Sequence, residues 1–135
     1  MALNSSELSV GDTYSECLVE DLKRTQIVMY AGASGDYNPL HTDEIYTTKV
    51  AGYPTVFAHG MLTMGMTGRM LTNYVGDGRL TKYGVRFTNQ VWPGDTLNAT
   101  ATVEEVAGDK VKLKVETTNQ DGLVVVSGYA EARVD

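Results

Sequence analysis

Apolar and polar residues alternate along residues 79–134, which is the pattern of half-buried β-strands. In the clearest run, 110–116, Val111, Leu113 and Val115 share one face and charged residues occupy the other. Short connections that contain glycine separate the runs, and such connections force neighbouring strands to be antiparallel. The second half of the chain is therefore predicted to be an antiparallel meander with one buried face. Its strands are predicted at 79–91, 97–103, 110–116 and 123–134.

The first half of the chain carries helical patterns instead. The longest is Gly60–Tyr74, which is apolar over most of its circumference and is expected to be a buried helix. Thr25 is a candidate N-cap for a short helix through Ala33, and another short helix is predicted over 43–49. A first strand is expected to begin near 11–14. The predicted fold class is α+β, with a curved antiparallel sheet that wraps one long central helix.

Composition and charge narrow the class of protein. Residues 1–135 are predicted to form one domain, since no linker or low-complexity run interrupts them. The net charge of −6 argues against a nucleic-acid-binding module, which needs a basic face, and against a polybasic membrane anchor. No apolar stretch is long enough to span a bilayer. Neither a nucleic acid nor a membrane is therefore expected as a partner.

The cysteine content and the start of the sequence bear on the cellular compartment. Cys17 is the only cysteine, so it has no partner for an internal disulfide, and it is expected to be buried in packing. Residues 1–6 lack the basic and apolar segments of a secretory signal. The resulting prediction is a reducing compartment, the cytoplasm.

The predicted central helix has an unusual composition. Four of the six methionines lie between residues 61 and 70, where they suit either a pliable lining for a flexible apolar ligand or the filling of gaps in a core. Gly65 and Gly68 each cost about 1 kcal/mol relative to alanine inside a helix. They therefore predict a close approach, either by a ligand or by a tightly packed sheet.

The candidate chemistry lies near the two histidines, His41 and His59. Asp36 and His41 flank an Asn38-Pro39 turn, and because proline fixes φ and has no N–H, this segment is predicted to be a rigid irregular loop. A carboxylate and an imidazole that converge there can bind a water, one group taking its proton and the other giving one. Taken alone, such a pair is more often structural than catalytic.

Other catalytic patterns do not fit the sequence. Segment 32–36 is not Gly-x-Ser-x-Gly, so no nucleophile elbow is expected, and no Gly-x4-Gly-Lys-Ser/Thr motif is present. Asp36, His41 and His59 imitate a two-histidine, one-carboxylate iron site, but the short His-x-Asp spacing typical of such sites is missing. Neither a metal nor a cofactor is expected.

Two motifs resemble a known family. The motif S-G-D-x-N-P-L-H-x-D over 34–43 is followed by A-H-G-M-L-T over 58–63. This long, ordered combination resembles the MaoC-like (R)-specific enoyl-thioester hydratases, and within them the dehydratases of (3R)-hydroxyacyl carrier proteins. Segments 83–87 and 93–95 also match, so the resemblance covers nearly the whole chain. It implies a hot-dog fold and a homodimer or heterodimer of hot-dog subunits whose sheets join edge to edge.

The resemblance also implies a reaction, the addition of water across a trans-2-enoyl thioester or the reverse elimination. By position, His41 is the base that takes a proton from water, and Asp36 holds that water and delivers the proton to the α-carbon. The backbone N–H of Gly60 is implied to bind the thioester carbonyl, where a fixed donor and the helix dipole stabilise developing charge. The substrate is implied to be carried by CoA or by acyl carrier protein.

The same resemblance assigns supporting roles. Ser34 belongs to the first motif, Asn38 is implied to brace the loop, and His59 is implied to have a structural role beside the substrate. Some family members carry a serine two helical turns beyond His59. Gly68 replaces it here, so Thr67 is the nearest remaining hydroxyl for a substrate contact.

A basic segment is a candidate for binding the carrier. Arg69, Arg79, Lys82 and Arg86 lie in a stretch whose only acidic residue is Asp77. The phosphates of CoA or an acidic carrier protein suit such a surface. A solvated strand face without a ligand is the alternative.

Three functions stay open from the sequence. The first is the hydratase or dehydratase described above. The second is a hot-dog thioesterase, in which Asp36 acts at the carbonyl carbon. The third is a non-catalytic subunit that shapes the site of a partner, although a scaffold has no need of both Asp36 and His41.

Overall fold

The computed structural model describes residues 3–135, which form a five-stranded antiparallel sheet and two α-helices. The strands are β1 Thr13–Val19, β2 Leu80–Phe87, β3 Leu97–Ala107, β4 Lys110–Thr118 and β5 Val124–Arg133. The helices are α1 Arg24–Ser34 and α2 Gly60–Val75, with 3₁₀ turns at Ser5–Glu7 and Pro39–His41 and a π-helical turn at Tyr46–Val50. The strand order β1-β3-β4-β5-β2 leaves β1 and β2 at the two edges of the sheet.

Alternation along the central strands builds the hydrophobic core. Val111, Leu113 and Val115 are fully buried on one face of β4, and the lysines between them are exposed. The buried face lies against α2, which contacts β1, β2, β3 and β5. A shift in register between Val103 and Glu105 bends β3. The predicted α+β architecture, one long helix inside an antiparallel sheet, is therefore confirmed.

The central helix begins at Gly60, as predicted, and ends one residue later than predicted, at Val75. One side of it is buried against the sheet, but an exposed line follows Met61, Gly65 and Arg69. The expectation that the helix is buried all round is wrong for the single chain, because the sheet covers only one side. Within residues 3–135, no helix is both long and apolar enough to cross a membrane.

The methionines and glycines of α2 have different surroundings. Met66 and Met70 are buried in the core, so they fill gaps between the helix and the sheet. A Cβ at Gly68 would lie 3.2 Å from the ring of Tyr83, so the sheet makes the close approach there. Among residues 3–135, nothing lies within 4 Å of a Cβ built at Gly65. The close approach predicted at that glycine is wrong within one chain.

Two further expectations for the first half are wrong. The N-cap position of α1 is Lys23, which makes no side-chain cap, so Thr25 lies inside the first turn. Cys17 is exposed rather than buried. Its neighbour Leu18 is buried, and because successive side chains of a strand point to opposite faces, Cys17 faces solvent on the edge strand β1.

The short helix predicted over 43–49 is present as a helical segment over 44–50 that widens into a π-helical turn. Thr47 is fully buried in this turn. Its hydroxyl lies 3.0 Å from the carbonyl oxygen of Pro39 and 2.7 Å from that of Asp43. The turn is thereby joined to the segment that carries His41.

The strand β2 is shorter than its alternating pattern predicts, since it ends at Phe87 and not at Val91. Thr88 still bonds to β5, and segment 88–91 then turns toward the start of α2. The N–H of Thr88 donates to the carbonyl of Val125 at 2.9 Å, and the N–H of Ala58 donates to the carbonyl of Val91 at 2.8 Å. This turn brings the segment beside the start of α2.

Candidate active site

The loop after α1 is built from one hydrogen bond repeated at every second residue. The Ser34 hydroxyl accepts from the backbone N–H of Asp36 at 3.1 Å. The Asp36 carboxylate accepts from the N–H of Asn38 at 3.2 Å, and the Asn38 side chain accepts from the N–H of Leu40 at 3.0 Å. These are the local bonds with which serine, aspartate and asparagine replace regular backbone partners. The spacing of the polar side chains therefore specifies the loop, and it leaves Asp36 exposed.

His41 ends the Pro39–His41 turn, and the segment before α2 orients its ring. Nδ1 of His41 lies 2.7 Å from the carbonyl oxygen of Phe57. Because a carbonyl only accepts, Nδ1 carries a proton, and in the neutral form of the ring the lone pair is therefore on Nε2. The N–H of Phe57 also donates to the carbonyl of Leu40 at 3.3 Å, which pairs the two segments. Nε2 is thus the ring nitrogen of His41 that is left to accept a proton.

His59 contacts both of the other candidate groups. It is buried, and its Nε2 donates to the backbone carbonyl of Asp36 at 3.0 Å. Its ring stacks on that of His41, with centroids 3.8 Å apart and planes inclined by 25°. His59 therefore fixes the position of the loop at Asp36 and supports the ring of His41.

The structure brings Asp36, His41 and His59 into one cluster. A carboxylate oxygen of Asp36 and one nitrogen of each ring lie within 4.8 Å of one another. Two groups that bind the same water stand about 4.6 Å apart, given hydrogen bonds of about 2.8 Å and a tetrahedral angle at the oxygen. Asp36 and His41 are therefore close enough to bind the same water molecule.

The same cluster is the candidate metal site, and its geometry fits an ion poorly. Nδ1 of His41 and Nε2 of His59 already donate to carbonyl oxygens, which leaves one nitrogen on each ring. Two imidazole ligands must direct their lone pairs at a common point about 2 Å away. Stacked, nearly parallel rings direct their lone pairs side by side instead.

The surroundings of His41 favour its neutral form. Burial lowers the pKa of the imidazole below its ordinary value of 6.5, and the adjacent His59 lowers it further. The hydrogen bond to Phe57 and the charge of Asp36 raise the pKa, but they offset only part of the decrease. The imidazole of His41 is therefore in its neutral form at neutral pH, and its Nε2 is able to act as a base.

A cavity of about 250 Å³ opens beside the first turn of α2. The N–H of Gly60 has no acceptor within the helix, because Gly60 is its first residue. A Cβ at Gly60 would lie 2.7 Å from the ring of Phe87, so glycine allows the ring to pack against this turn. The walls of the cavity include Phe57, Gly60, Thr63, Phe87, residues 88–91 and Val125.

Two of the residues singled out from the sequence lie apart from this group. Thr67 is fully buried, and its hydroxyl pairs with that of Thr117 at 2.7 Å between α2 and β4. Arg86 is exposed on β2, on the opposite face of the strand from Phe87. The structure therefore does not bring Thr67 or Arg86 to the cluster of Asp36, His41 and His59.

The basic segment is also divided in the structure. Arg79 pairs with Asp135 at 2.8 Å, and the ammonium of Lys82 lies 5.7 Å from the centre of the Tyr129 ring. Lys82 and Arg86 share the outer face of β2, whereas Arg69 belongs to α2, the helix that packs on the inner face of the sheet. Only Lys82 and Arg86 can act together on that outer face.

No motif or spacing pointed to Glu44, which joins three segments around the site. Its carboxylate accepts from Arg24 of α1 at 2.8 Å, from the hydroxyl of Thr55 at 2.8 Å and from the N–H of Val56 at 3.4 Å. The bonds from Arg24 and Thr55 lower the pKa of Glu44. Phe57 follows directly, so Glu44 helps to fix the carbonyl that orients His41.

Comparison with known proteins identifies the class. The family model described as MaoC like domain matches residues 7–124, and the chain belongs to this family. The R-hydratase PhaJ1 from Pseudomonas aeruginosa, in the unliganded form, superposes with a TM-score of 0.87 at 28% identity, over 98% of this chain and 86% of that one. The likeness confirms the hot-dog fold.

Two curated relatives are similar over most of the chain. The 3-hydroxyacyl-thioester dehydratase Y of Mycobacterium tuberculosis is 32% identical over 126 residues, which are 91% of this chain and 40% of the relative. The (R)-specific enoyl-CoA hydratase of Rhodospirillum rubrum is 33% identical over 128 residues, 93% of this chain and 88% of the relative. The chain thus spans less than half the length of the first relative and most of the second.

Proposed function

We propose that this protein is a hydro-lyase that adds water to trans-2-enoyl thioesters with (R) specificity, or that eliminates water from (3R)-hydroxyacyl thioesters. One observation carries the proposal. A ring nitrogen of His41 lies within 4.8 Å of a carboxylate oxygen of Asp36, close enough for both groups to bind one water, and Nδ1 of His41 is already bonded to the carbonyl of Phe57. The names of the two curated relatives support the same pair of reactions.

The proposed reaction begins with a water between Asp36 and His41. Nε2 of His41 takes a proton from this water while the water oxygen bonds to the β-carbon of the substrate. Electrons of the double bond move toward the thioester carbonyl. The proton then passes from the imidazolium to Asp36, which delivers it to the α-carbon. The substrate thus gains a hydroxyl at the β-carbon and a hydrogen at the α-carbon, and His41 and Asp36 return to their starting protonation states.

The start of α2 is the proposed site for the carbonyl oxygen. This oxygen gains negative charge as the water adds, and the N–H of Gly60 is a fixed donor without an intrahelical acceptor. The dipole of α2 favours negative charge at the same point. Ser34 and Asn38 support the reaction indirectly, since their hydrogen bonds hold the loop that carries Asp36.

Two features bear on the carrier and on the partner subunit. We propose that the substrate is a thioester of CoA or of acyl carrier protein. Lys82 and Arg86, on the outer face of β2, are the proposed positive charges that attract the phosphates of CoA or an acidic carrier protein. We also propose that a second hot-dog subunit, identical or different, pairs with the free edge of β2, since among residues 3–135 this strand pairs with β5 alone. Mass in solution by light scattering tests the pairing, and a monomer contradicts it. The cytoplasmic compartment stays a prediction.

The reaction is tested with the purified protein and crotonyl-CoA. We expect loss of the enoyl absorbance and formation of (R)-3-hydroxybutyryl-CoA, identified by chiral analysis. Asp36→Asn and His41→Ala are expected to lower kcat/KM by about 10²–10⁴-fold, the usual contribution of a positioned acid or base. Asparagine at position 36 keeps the oxygen that accepts from Asn38, so Asp36→Asn is expected to melt at the wild-type temperature.

Three outcomes decide between the functions that the sequence left open. Release of free thiol without a hydroxyacyl product supports a thioesterase. If neither product forms, and the protein binds a second hot-dog subunit that is itself active, this protein is a non-catalytic subunit. Full activity of His41→Ala contradicts the role of His41 as the base.

A further inference from the structure

One buried hydroxyl in the cavity wall has no partner. Thr63 is 1% exposed, and its Oγ1 makes no hydrogen bond within residues 3–135. Threonine in a helix ordinarily donates to a carbonyl three or four residues earlier, as Thr72 does to Arg69 at 3.1 Å. Thr67 instead pairs with Thr117. Thr63 therefore stands out among these threonines of α2 as a donor that is buried and unused.

The position of Thr63 on the helix sets what its hydroxyl can reach. Thr63 and Gly60 both line the cavity and stand three residues apart, so they lie on the same side of α2. Helical side chains tilt toward the N-terminus, and that of Thr63 therefore covers the turn that begins with the free N–H of Gly60. Rotation about the Cα–Cβ bond, which no hydrogen bond opposes, turns Oγ1 between staggered positions.

We propose that Thr63 is a second donor to the carbonyl oxygen of the substrate, beside the N–H of Gly60. The inference rests on the proposed function. When water bonds to the β-carbon, the electron pair of the double bond moves to the carbonyl oxygen, and the two donors stabilise the resulting enolate. When the α-carbon is protonated, the pair returns to form the new C–H bond and the carbonyl is restored. Thr63 thus touches the atom on which charge develops, and it is assigned as a catalytic residue.

The unpaired hydroxyl is itself an argument for a ligand. A buried polar group without a partner destabilises a folded protein, and such groups are rare in native structures. Valine has nearly the shape of threonine and would fill the same space without this penalty. Among the described residues this hydroxyl has no partner, and a carbonyl bound in the cavity would supply an acceptor for it.

The test compares Thr63→Val, which removes the hydroxyl, with Thr63→Ser, which keeps it. Thr63→Val is expected to lower kcat for crotonyl-CoA hydration by about 10²-fold, the lower end of the effect of losing one such donor. Its melting temperature is expected to equal or exceed that of the wild type, because an unsatisfied group is removed. Thr63→Ser is expected to keep most of the activity. Thr72→Val is the matched control, with unchanged kcat, since its hydroxyl is bound to Arg69.

A binding measurement separates this inference from the proposed function. Calorimetry compares butyryl-CoA with S-butyl-CoA, in which a methylene replaces the carbonyl, and it needs no turnover. The wild type is expected to prefer the thioester, and Thr63→Val is expected to lose most of that preference. If the wild-type protein is inactive but still prefers the thioester, this result contradicts the proposed function and leaves the contact between Thr63 and the carbonyl standing.

Three results would overturn the assignment of Thr63. The first is wild-type kcat in Thr63→Val, and the second is a higher KM with unchanged kcat, which indicates a contact made equally before and during the reaction. The third is an equal loss in Thr63→Val and Thr63→Ser, which indicates that packing and not the hydroxyl matters.

Discussion

Residues 34–41 hold their conformation through side chains, whereas β3, β4 and β5 hold theirs through the backbone. In the loop, Ser34, Asp36 and Asn38 each accept a bond from an N–H two residues later. In the sheet, the backbones of the three strands pair along their lengths, and the apolar side chains of one face are buried. The loop is exposed over most of its length, and the sheet encloses the core.

This difference shows which property of the sequence each region needs. The sheet needs an alternating pattern, and many apolar residues of similar size satisfy it. The loop needs side chains with an acceptor oxygen at a fixed distance from the backbone, because no regular ladder supplies partners there. Substitutions are therefore expected to lower the stability of the protein in the sheet and its activity in the loop.

The largest expected effect on stability is in the sheet. Leu113→Ala removes a fully buried side chain at the centre of β4 and is expected to lower the free energy of unfolding by about 2–5 kcal/mol. Lys112→Ala, on the exposed face of the same strand, is expected to change it by less than about 0.5 kcal/mol. Urea denaturation measures both. If both variants lower the free energy of unfolding equally, burial of one face of β4 is not what stabilises this strand.

A smaller effect on stability is expected in the loop, together with a loss of activity. Asn38→Ala removes the acceptor for the N–H of Leu40 at the start of the Pro39–His41 turn, a cap whose loss costs about 0.5–2 kcal/mol. The proposed hydration is expected to fall, since the turn carries His41. Asn38→Asp keeps the acceptor and serves as the control. Wild-type activity in Asn38→Ala would mean that the neighbouring bonds suffice to hold the loop.

The smallest expected effect is a displacement of the pH profile. The base must be unprotonated, and burial lowers the pKa of His41 below 6.5, so activity is expected to be full above that value and to be lost only at lower pH. The acid limb of log kcat/KM for crotonyl-CoA hydration measures this pKa. A limb at or above 6.5 would show that the imidazole is as accessible to water as an exposed histidine.

Much of the fold could be predicted because it depends on local patterns. Alternation located β3, β4 and β5, and the apolar run with histidine before it located the start of α2 at Gly60. Errors arose where partners are distant in sequence. β2 ends early because the chain turns away from β5 after Thr88, and Val91 instead accepts from the N–H of Ala58. Cys17 is exposed because it lies on the outer face of β1, opposite to the buried Leu18.

The candidate site was predictable only in part. The motif over 34–43 pointed to Asp36 and His41, and the spacing of its polar residues is that of the bonds that form the loop. The carbonyl of Phe57, which sets the tautomer of His41, carries no signal in its side chain. The pairing of Thr67 with Thr117 was likewise hidden, since it joins residues 50 positions apart.

The strand pattern, the central helix and the two motifs of the family can be recognised in the amino-acid sequence alone, because each is a periodicity or a spacing along a short stretch of chain. Two features of the site depend on how the chain packs in three dimensions. His59 bonds to the backbone of Asp36 while it stacks on His41, and Thr63 in the cavity wall is left without a partner among residues 3–135. These contacts depend on where the folded backbone places carbonyl groups and cavities. A hydrogen bond forms with the group that lies nearest in space, and neighbours in space are fixed only when the sheet and helix have packed.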